Sequence, residues 1–334
     1  MKKVLITLLV VLLVLTTVLA FACKSETKAG VEEYTIVSPD GAPALAIAPF
    51  IGAEDNGSSY RFVPSIVSST LIKAEAVKAD FAIVPANMAA ILYNQGAEYK
   101  MVASVTNGNM FLVSNQEGLI GWGDMKGHML YSIGQGSIPA FILLNILNKL
   151  GIDWVESETP VEGKVAIQYV ADGQALIAKF ATATDRVFGN LAEPAVSTAL
   201  VANNKGYVLY DLQSVWRAAT GSSISGYAQA VLIAKKSICE EKPEVVEAVL
   251  NTIKDNETYI LDNAEVVRQK ILEIYPESSL KKPLTREIAI NCNVKVHKAS
   301  ENIDYILTTL NAAYAIKAQS VGGSVPAADS GFYY

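Results

Sequence analysis

Six short segments of this chain combine small, polar side chains with the backbone of a helix start: Ser38–Pro43, Pro64–Ser65, Val84–Asn87, Thr106–Asn109, Ile133–Ser137 and Gly189–Pro194. The first turn of a helix has N–H groups without an intrahelical partner and carries a partial positive charge. Such loops can hold a carboxylate, a sulfonate, a phosphate or the polar edge of a ring. None of the six contains Lys, Arg or His, and two contain a carboxylate, Asp40 and Glu193. A site for a strong dianion would be expected to include a cation. The loops therefore favour a neutral or cationic small molecule, heterocycles included, held by Asn, Gln, Ser and backbone groups. The candidate contacts are Asp40, Gly41, Ala42, Ser65, Asn87, Asn107, Gly108, Gln135, Gly136, Ser137 and Glu193. Each has a local reading too: Asp40 can cap the helix after it and Glu193 can favour the start of its own. Any one loop alone is ordinary turn chemistry. The information is in the set.

Catalysis finds little support. Gly134-Gln135-Gly136-Ser137 lacks the third glycine and the acidic residue of a dinucleotide fingerprint, and there is no Walker lysine motif. A Ser137 nucleophile needs a base, and His128 and His297 are the two histidines of the chain. With no CxxC or HExxH, there is no basis for a metal site. The expectation is a protein that is not an enzyme and has no cofactor. Formal net charge is −6 and no basic patch stands out, so nucleic acid is not an expected partner. Beyond Cys23, the cysteines are Cys239 and Cys292. They either pair, closing a long loop worth ~3–5 kcal/mol at best, or stay as buried thiols. The sequence leaves both open.

The elements that must position these loops alternate. Tyr34–Ser38, Tyr60–Pro64, Phe81–Val84 and Met101–Val105 read as strands, with helical patterns between them, and Met110–Ser114 looks like another strand. A second block runs from Met129–Ile133 through Pro139–Leu150, Val165–Val170, Asp172–Ala181 and Arg186–Gly189 to Tyr207–Asp211. After Ala228–Ala234 the chain is mostly helical: Pro243–Asp262, Ala264–Ile274, Thr285–Asn293 and Ala299–Lys317. Alternation of this kind predicts parallel sheets with helices on both faces, and ligands bind beyond the carboxyl ends of such strands.

The first residues give an address. Lys2 and Lys3 precede an uncharged apolar run from Val4 to Ala22, which ends at Leu19-Ala20-Phe21-Ala22-Cys23. Residues 1–22 read as a lipoprotein signal peptide, with Cys23 acylated (palmitate) as the first mature residue. Ala20 and Phe21 depart from the usual lipobox, and a signal cleaved elsewhere or an uncleaved anchor are the alternatives. All three place the body on the extracytoplasmic face of the cell membrane, on the periplasmic side if the cell has an outer membrane. Residues 23–32 are a polar tether.

Several segments, taken together, carry a resemblance. Ser38-Pro39-Asp40-Gly41-Ala42-Pro43-Ala44-Leu45-Ala46 resembles the opening of ABC transporter substrate-binding proteins of the nitrate/sulfonate/taurine and thiamine-precursor group. Ala79–Ala90, Asp124-Met125-Lys126-Gly127 with Ile133–Pro139, Asn190–Pro194, Asn291-Cys292-Asn293 and the ending Gly322–Pro326 with Phe332-Tyr333-Tyr334 are similar to that group in the same order. The resemblance covers about residues 34–334. It implies an α/β, two-lobed type II periplasmic-binding-protein fold, each lobe a mostly parallel sheet flanked by helices, with the ligand cleft between lobes. The crossings are expected near Ser114–Leu119 and Ser222–Ala228, giving lobe 1 as 33–115 plus 227–334 and lobe 2 as 116–226. The implied function is capture of a small-molecule solute for an ABC permease and its ATPase by a membrane-anchored monomer. Alternatives are a ligand-sensing lipoprotein that signals to a membrane receptor, and an enzyme on the same fold. The related pyrimidine synthases consume a histidine, and neither His128 nor His297 lies in a cleft loop.

Overall fold

The computed structural model describes residues 31–55, 58–65, 79–118 and 121–334. The signal peptide, Cys23 and nearly all of the tether lie outside them. So does Leu119, the far end of the first expected crossing.

Thirteen strands form two sheets among the described residues. They are β1 (Glu32–Pro39), β2 (Glu54–Asp55), β3 (Ser58–Ser65), β4 (Phe81–Pro85), β5 (Tyr99–Thr106), β6 (Met110–Ser114), β7 (Met129–Ser132), β8 (Trp154–Glu156), β9 (Val165–Tyr169), β10 (Phe188–Ala192), β11 (Tyr207–Asp211), β12 (Ala230–Lys235) and β13 (Val294–Lys298). The first sheet runs β13-β5-β12-β4-β1-β3-β2 and the second β11-β6-β10-β7-β9-β8. Parallel pairing of β1 with β3 and β4 builds one lobe, and parallel pairing of β7 with β9 and β10 builds the other. Each sheet contains one strand inserted against the grain right after a crossing. β12 lies antiparallel between β4 and β5, and β6 antiparallel between β10 and β11.

The inserted β6 corrects the expected boundary. Because Met110–Ser114 pairs with β10 and β11, the first crossing runs through Asn107–Asn109 rather than Ser114–Leu119. The return passes through residues 221–229, between the helix Leu212–Thr220 and β12.

Continuous apolar runs explain the burial. Within β4, Phe81 and Ile83 enter one core while Ala82 and Val84 enter another, as the two-residue pleat requires. Below the first sheet, Leu45 and Ile47 of the helix Ala42–Ile47 meet Val246, Val249, Ile253 and Ile260 of the helix Pro243–Ile274. That long helix is broken in φ/ψ at Asn263, where the two sequence patterns join. Upstream, Asn256 Nδ2 donates to the carbonyls of Leu45 (2.8 Å) and Ala46 (3.3 Å), giving the short helix's terminal oxygens a partner. Above, the helix Ile303–Ile316 packs on both Ala86–Asn94 of the first lobe and Ile138–Lys149 of the second, so one core is continuous between the lobes. A third core, around Leu176, Phe180 and Leu200, covers the other face of the second sheet. Cys239 and Cys292 are both buried free thiols, so the bridge left open by the sequence is not formed. Burial pushes the Cys239 thiol up to about 11, which leaves it unreactive near neutral pH. No described helix is long and apolar enough to cross a membrane.

Candidate functional site

The carboxyl ends of the parallel strands in the two sheets meet along one seam. From the first lobe, β4 ends at Pro85 and the helix Ala86–Asn94 begins, placing Asn87 in its first turn. From the second, β7 leads through Gly134 and Gly136, both at positive φ, into the helix Ile138–Lys149. Gly136 at φ +70° lets this turn close without a Cβ penalty. Asn87 is 1% exposed, and its Nδ2 donates across the seam to the Gly136 carbonyl at 3.1 Å and to the Ser320 carbonyl at 3.0 Å. Gln135 and Gly136 are exposed at the rim, and Ser137 stands at the helix N-cap with no side-chain capping bond. Its hydroxyl is thus available to a bound group, whereas the helix's first turn offers few free amides: Pro139 has no N–H, and the amides of Ala140 and Phe141 donate to the Ser137 carbonyl.

The other end of the seam is formed by β10. Its C-terminal extension places Glu193 at 3% exposure, with Oε2 accepting from Ser197 N (3.0 Å) and Oε1 from Ser197 Oγ (2.5 Å). The first lobe contributes Asn291, which hydrogen-bonds toward the same carboxyl, together with the charge of Glu287. Burial raises the Glu193 pKa, opposed by the bonds from Ser197 and Asn291. Folded Glu193 therefore holds its proton more tightly than the unfolded chain does. Its contribution to stability is fully present below 4.5, the ordinary value, and is lost as pH rises through the raised folded value. In Glu193→Gln that part of the pH dependence is expected to vanish. Urea denaturation at a series of pH values checks this, and parallel profiles for the two proteins would contradict it.

Asn107 and Gly108 belong to the hinge instead. Asn107 Oδ1 accepts from Ser104 Oγ (2.8 Å) and Tyr305 OH (3.1 Å), and its Nδ2 donates to the Lys295 carbonyl (2.7 Å). Its backbone N–H donates to Asn293 O, and its carbonyl accepts from Tyr227 N and Asn293 Nδ2. Every polar atom of Asn107 is spent on joining the crossings, which leaves none for the solute contact expected from sequence. Gly108, at φ +83°, gives its carbonyl to Asn293 Nδ2 and lies where a Cβ would meet the Tyr227 ring at 2.8 Å. Beside them Asn109 Nδ2 donates to the Glu193 carbonyl at 2.8 Å, and Gln229 Nε2 donates to Asn109 Oδ1 at 2.7 Å.

Asp40 is likewise committed. It neither caps its helix nor stands free, because Oδ1 accepts from Ser278 Oγ and Oδ2 from Ser279 N, both at 2.5 Å. Gly41 takes φ +86° at the start of the helix Ala42–Ile47, and Ala42 is buried. Ser65 ends β3, and its side chain lies outside the described ones. The structure thus brings Asn87 together with Gly136, and Glu193 with the hinge residue Asn109. Ser320, Asn291 and Gln229 reach the seam from segments that carry no local signal for it.

Neither histidine joins this seam. His128 lies edge-on to Phe188, and His297 sits in β13 against Tyr305. No group of three or more His, Cys, Asp or Glu able to hold a metal ion occurs among the described residues.

Two lobes of like topology, joined by two crossings with helix starts facing each other, define the periplasmic-binding-protein fold. Solved structures agree. A structure described as an ABC transporter from Parabacteroides distasonis superposes with a TM-score of 0.70 at 20% identity, covering 91% of this chain and 99% of that one. The periplasmic aliphatic sulphonate-binding protein of Escherichia coli gives 0.65 at 14% identity, covering 91% and 92%. The alkanesulfonate-binding protein of Xanthomonas axonopodis pv. citri, bound to MOPS, gives 0.60 at 13%, covering 90% and 96%. No protein-family model matches the chain, and comparison with curated protein sequences finds no match.

Proposed function

We propose that this protein is an extracytoplasmic solute-binding lipoprotein, tethered through Cys23, that captures a small molecule between its lobes and delivers it to an ABC importer. The observation that carries this reading is the seam itself: two sheets present their helix starts to each other across a hinge made of buried amides. Closure over a solute is then a rigid-body rotation about Asn107–Asn109 and residues 221–229, and a permease would read the closed state. The protein works as a monomer beside its permease and ATPase subunits.

For the solute we favour a neutral or cationic molecule, heterocycles included. The described seam loops contain Asn, Gln, Ser and a buried carboxyl, and no Lys, Arg or His. Two of the similar structures are sulfonate-binding proteins by description, so sulfonates are the competing class. Thermal unfolding in the presence of vitamins, pyrimidines, amino acids and sulfonates separates these outcomes. A solute at 100 times its Kd is expected to add ~2.7 kcal/mol of stability. A shift from an uncharged or cationic compound supports the assignment, and a shift from sulfonates or nitrate alone overturns the preference for solute class.

A further inference from the structure

The C-terminal segment brings an unexpected side chain to the seam. After the helix Ile303–Ile316 the chain turns through Ala318–Val321 and lies along Ala86–Asn94. Asn94 Nδ2 pins it there by donating to the carbonyls of Val321 and Ser324, both at 2.7 Å. Gly322, at φ +82°, allows the close approach, since a Cβ would stand 3.0 Å from that of Asn94. Ser320 is thereby set beside Asn87, 233 residues away in sequence.

Both side chains are left with an orphan atom. Asn87 spends its Nδ2 on the carbonyls of Gly136 and Ser320, while Asn87 Oδ1 and Ser320 Oγ have no hydrogen-bond partner. The residues are 1% and 7% exposed, so both atoms are shut off from bulk solvent. An unpaired buried acceptor costs the whole desolvation of the group, and native proteins leave few of them. Asn87 with its donors committed offers only an acceptor. The group that satisfies it must be a donor, and the second orphan atom, Ser320 Oγ, belongs to the residue whose carbonyl Asn87 already holds. The bond from Asn87 to the Gly136 carbonyl joins the two lobes, so a rotation that parts them would uncover this end of Asn87.

We propose that Asn87 Oδ1 and Ser320 Oγ form an acceptor subsite for an N–H or O–H group of the solute, so that closing over a donor-bearing solute satisfies both atoms and closing empty leaves them bare. This rests on the solute-capture reading and adds to it both a residue and a polarity. A trapped water is the other source of the same donor, and the experiment distinguishes the two.

Two matched probe pairs suffice: 4-aminopyrimidine with 4-methylpyrimidine, and taurine with 1-propanesulfonate. Within each pair an amino or ammonium group is exchanged for a methyl group of similar size. Titration calorimetry on the wild-type protein is expected to show the N–H member of a pair binding about tenfold tighter or more, a loss in line with an unmade hydrogen bond. In Ser320→Ala that ratio is expected to shrink to about threefold or less. The midpoint of solute-free thermal unfolding should not fall, because the hydroxyl removed has no partner to lose. Equal affinity within a pair, or a ratio untouched by Ser320→Ala, overturns the subsite while leaving solute capture standing, and is the result expected if water fills the position. Binding by none of the four probes, with no shift from any compound of the thermal-unfolding screen, counts against the solute-capture reading itself and removes the subsite with it.

Discussion

Gly226→Ala is expected to cost about 3 kcal/mol or more of folding stability, a large effect for one added methyl group. Gly226 lies in the return crossing at φ +88°, a conformation that a residue with a Cβ adopts only under strain. Steric conflict is the greater cost. A Cβ at this position would stand 1.8 Å from the carbonyl oxygen of Asn107, far inside contact distance. That oxygen accepts from Tyr227 N and Asn293 Nδ2, so it cannot retreat without breaking the junction of the two crossings. Gly123→Ala is the control, since a Cβ there meets nothing within 4 Å. Guanidinium denaturation of both variants checks the prediction. A loss in Gly226→Ala below ~1 kcal/mol would show that the crossings are not packed as described.

Asn107→Ala is expected to follow at about 3 kcal/mol, through a different mechanism. Its side chain is fully buried and serves Ser104 Oγ, Tyr305 OH and the Lys295 carbonyl. Truncation strands the buried hydroxyls of Ser104 and Tyr305 together with the part-buried Lys295 carbonyl, and leaves a cavity beside them. The Tyr305 hydroxyl cannot compensate by ionising, because burial already holds its pKa well above the ordinary range. The loss should appear in denaturant midpoint. Asn107→Ala that is as stable as wild type, but binds solute weakly, would return Asn107 to the role of a direct solute contact.

Both substitutions fall where local sequence pattern carries no signal. Strands with unbroken apolar runs are legible: Met110–Ser114 coincides with the largely buried β6, and Tyr207–Asp211 with β11, whose residues are exposed or half-buried. Asp172 is legible as a helix start, and its carboxylate indeed accepts from Ala175 N. The break between Asp262 and Ala264 is visible too, and the structure carries it as one non-helical residue in a long helix. What the strand pattern lacks is partner identity. Nothing local in Met110–Ser114 says that it joins the second sheet, so the sequence alone puts the first crossing several residues too late. β13 escapes detection for a related reason: Val294–Lys298 alternates with Lys and His and forms an edge beside β5.

The loops behave in the same way. Asn87 meets Gly136 at one end of the seam, and Glu193 lies at the other end beside Asn109. Asp40, Asn107 and Gly108 are small polar loop residues too, yet their polar atoms are bound to Ser278, Tyr305 and Asn293, between 185 and 238 residues along the chain. A small polar loop residue looks alike in sequence whether it faces a ligand or joins two crossings. Only the fold decides which donors arrive. Ser320 is the converse case, an ordinary serine in a tail that the helix Ala86–Asn94 turns into part of the seam.

Capture of a solute between the lobes requires them to rotate toward each other about this hinge. Small-angle X-ray scattering of the protein, titrated with a compound that raises its unfolding temperature, follows that rotation. The expected result is a radius of gyration that decreases with saturation as the lobes close. Binding proven by calorimetry at an unchanged radius of gyration, with an open solute-free form, would place the solute outside the seam and rule out capture by closure.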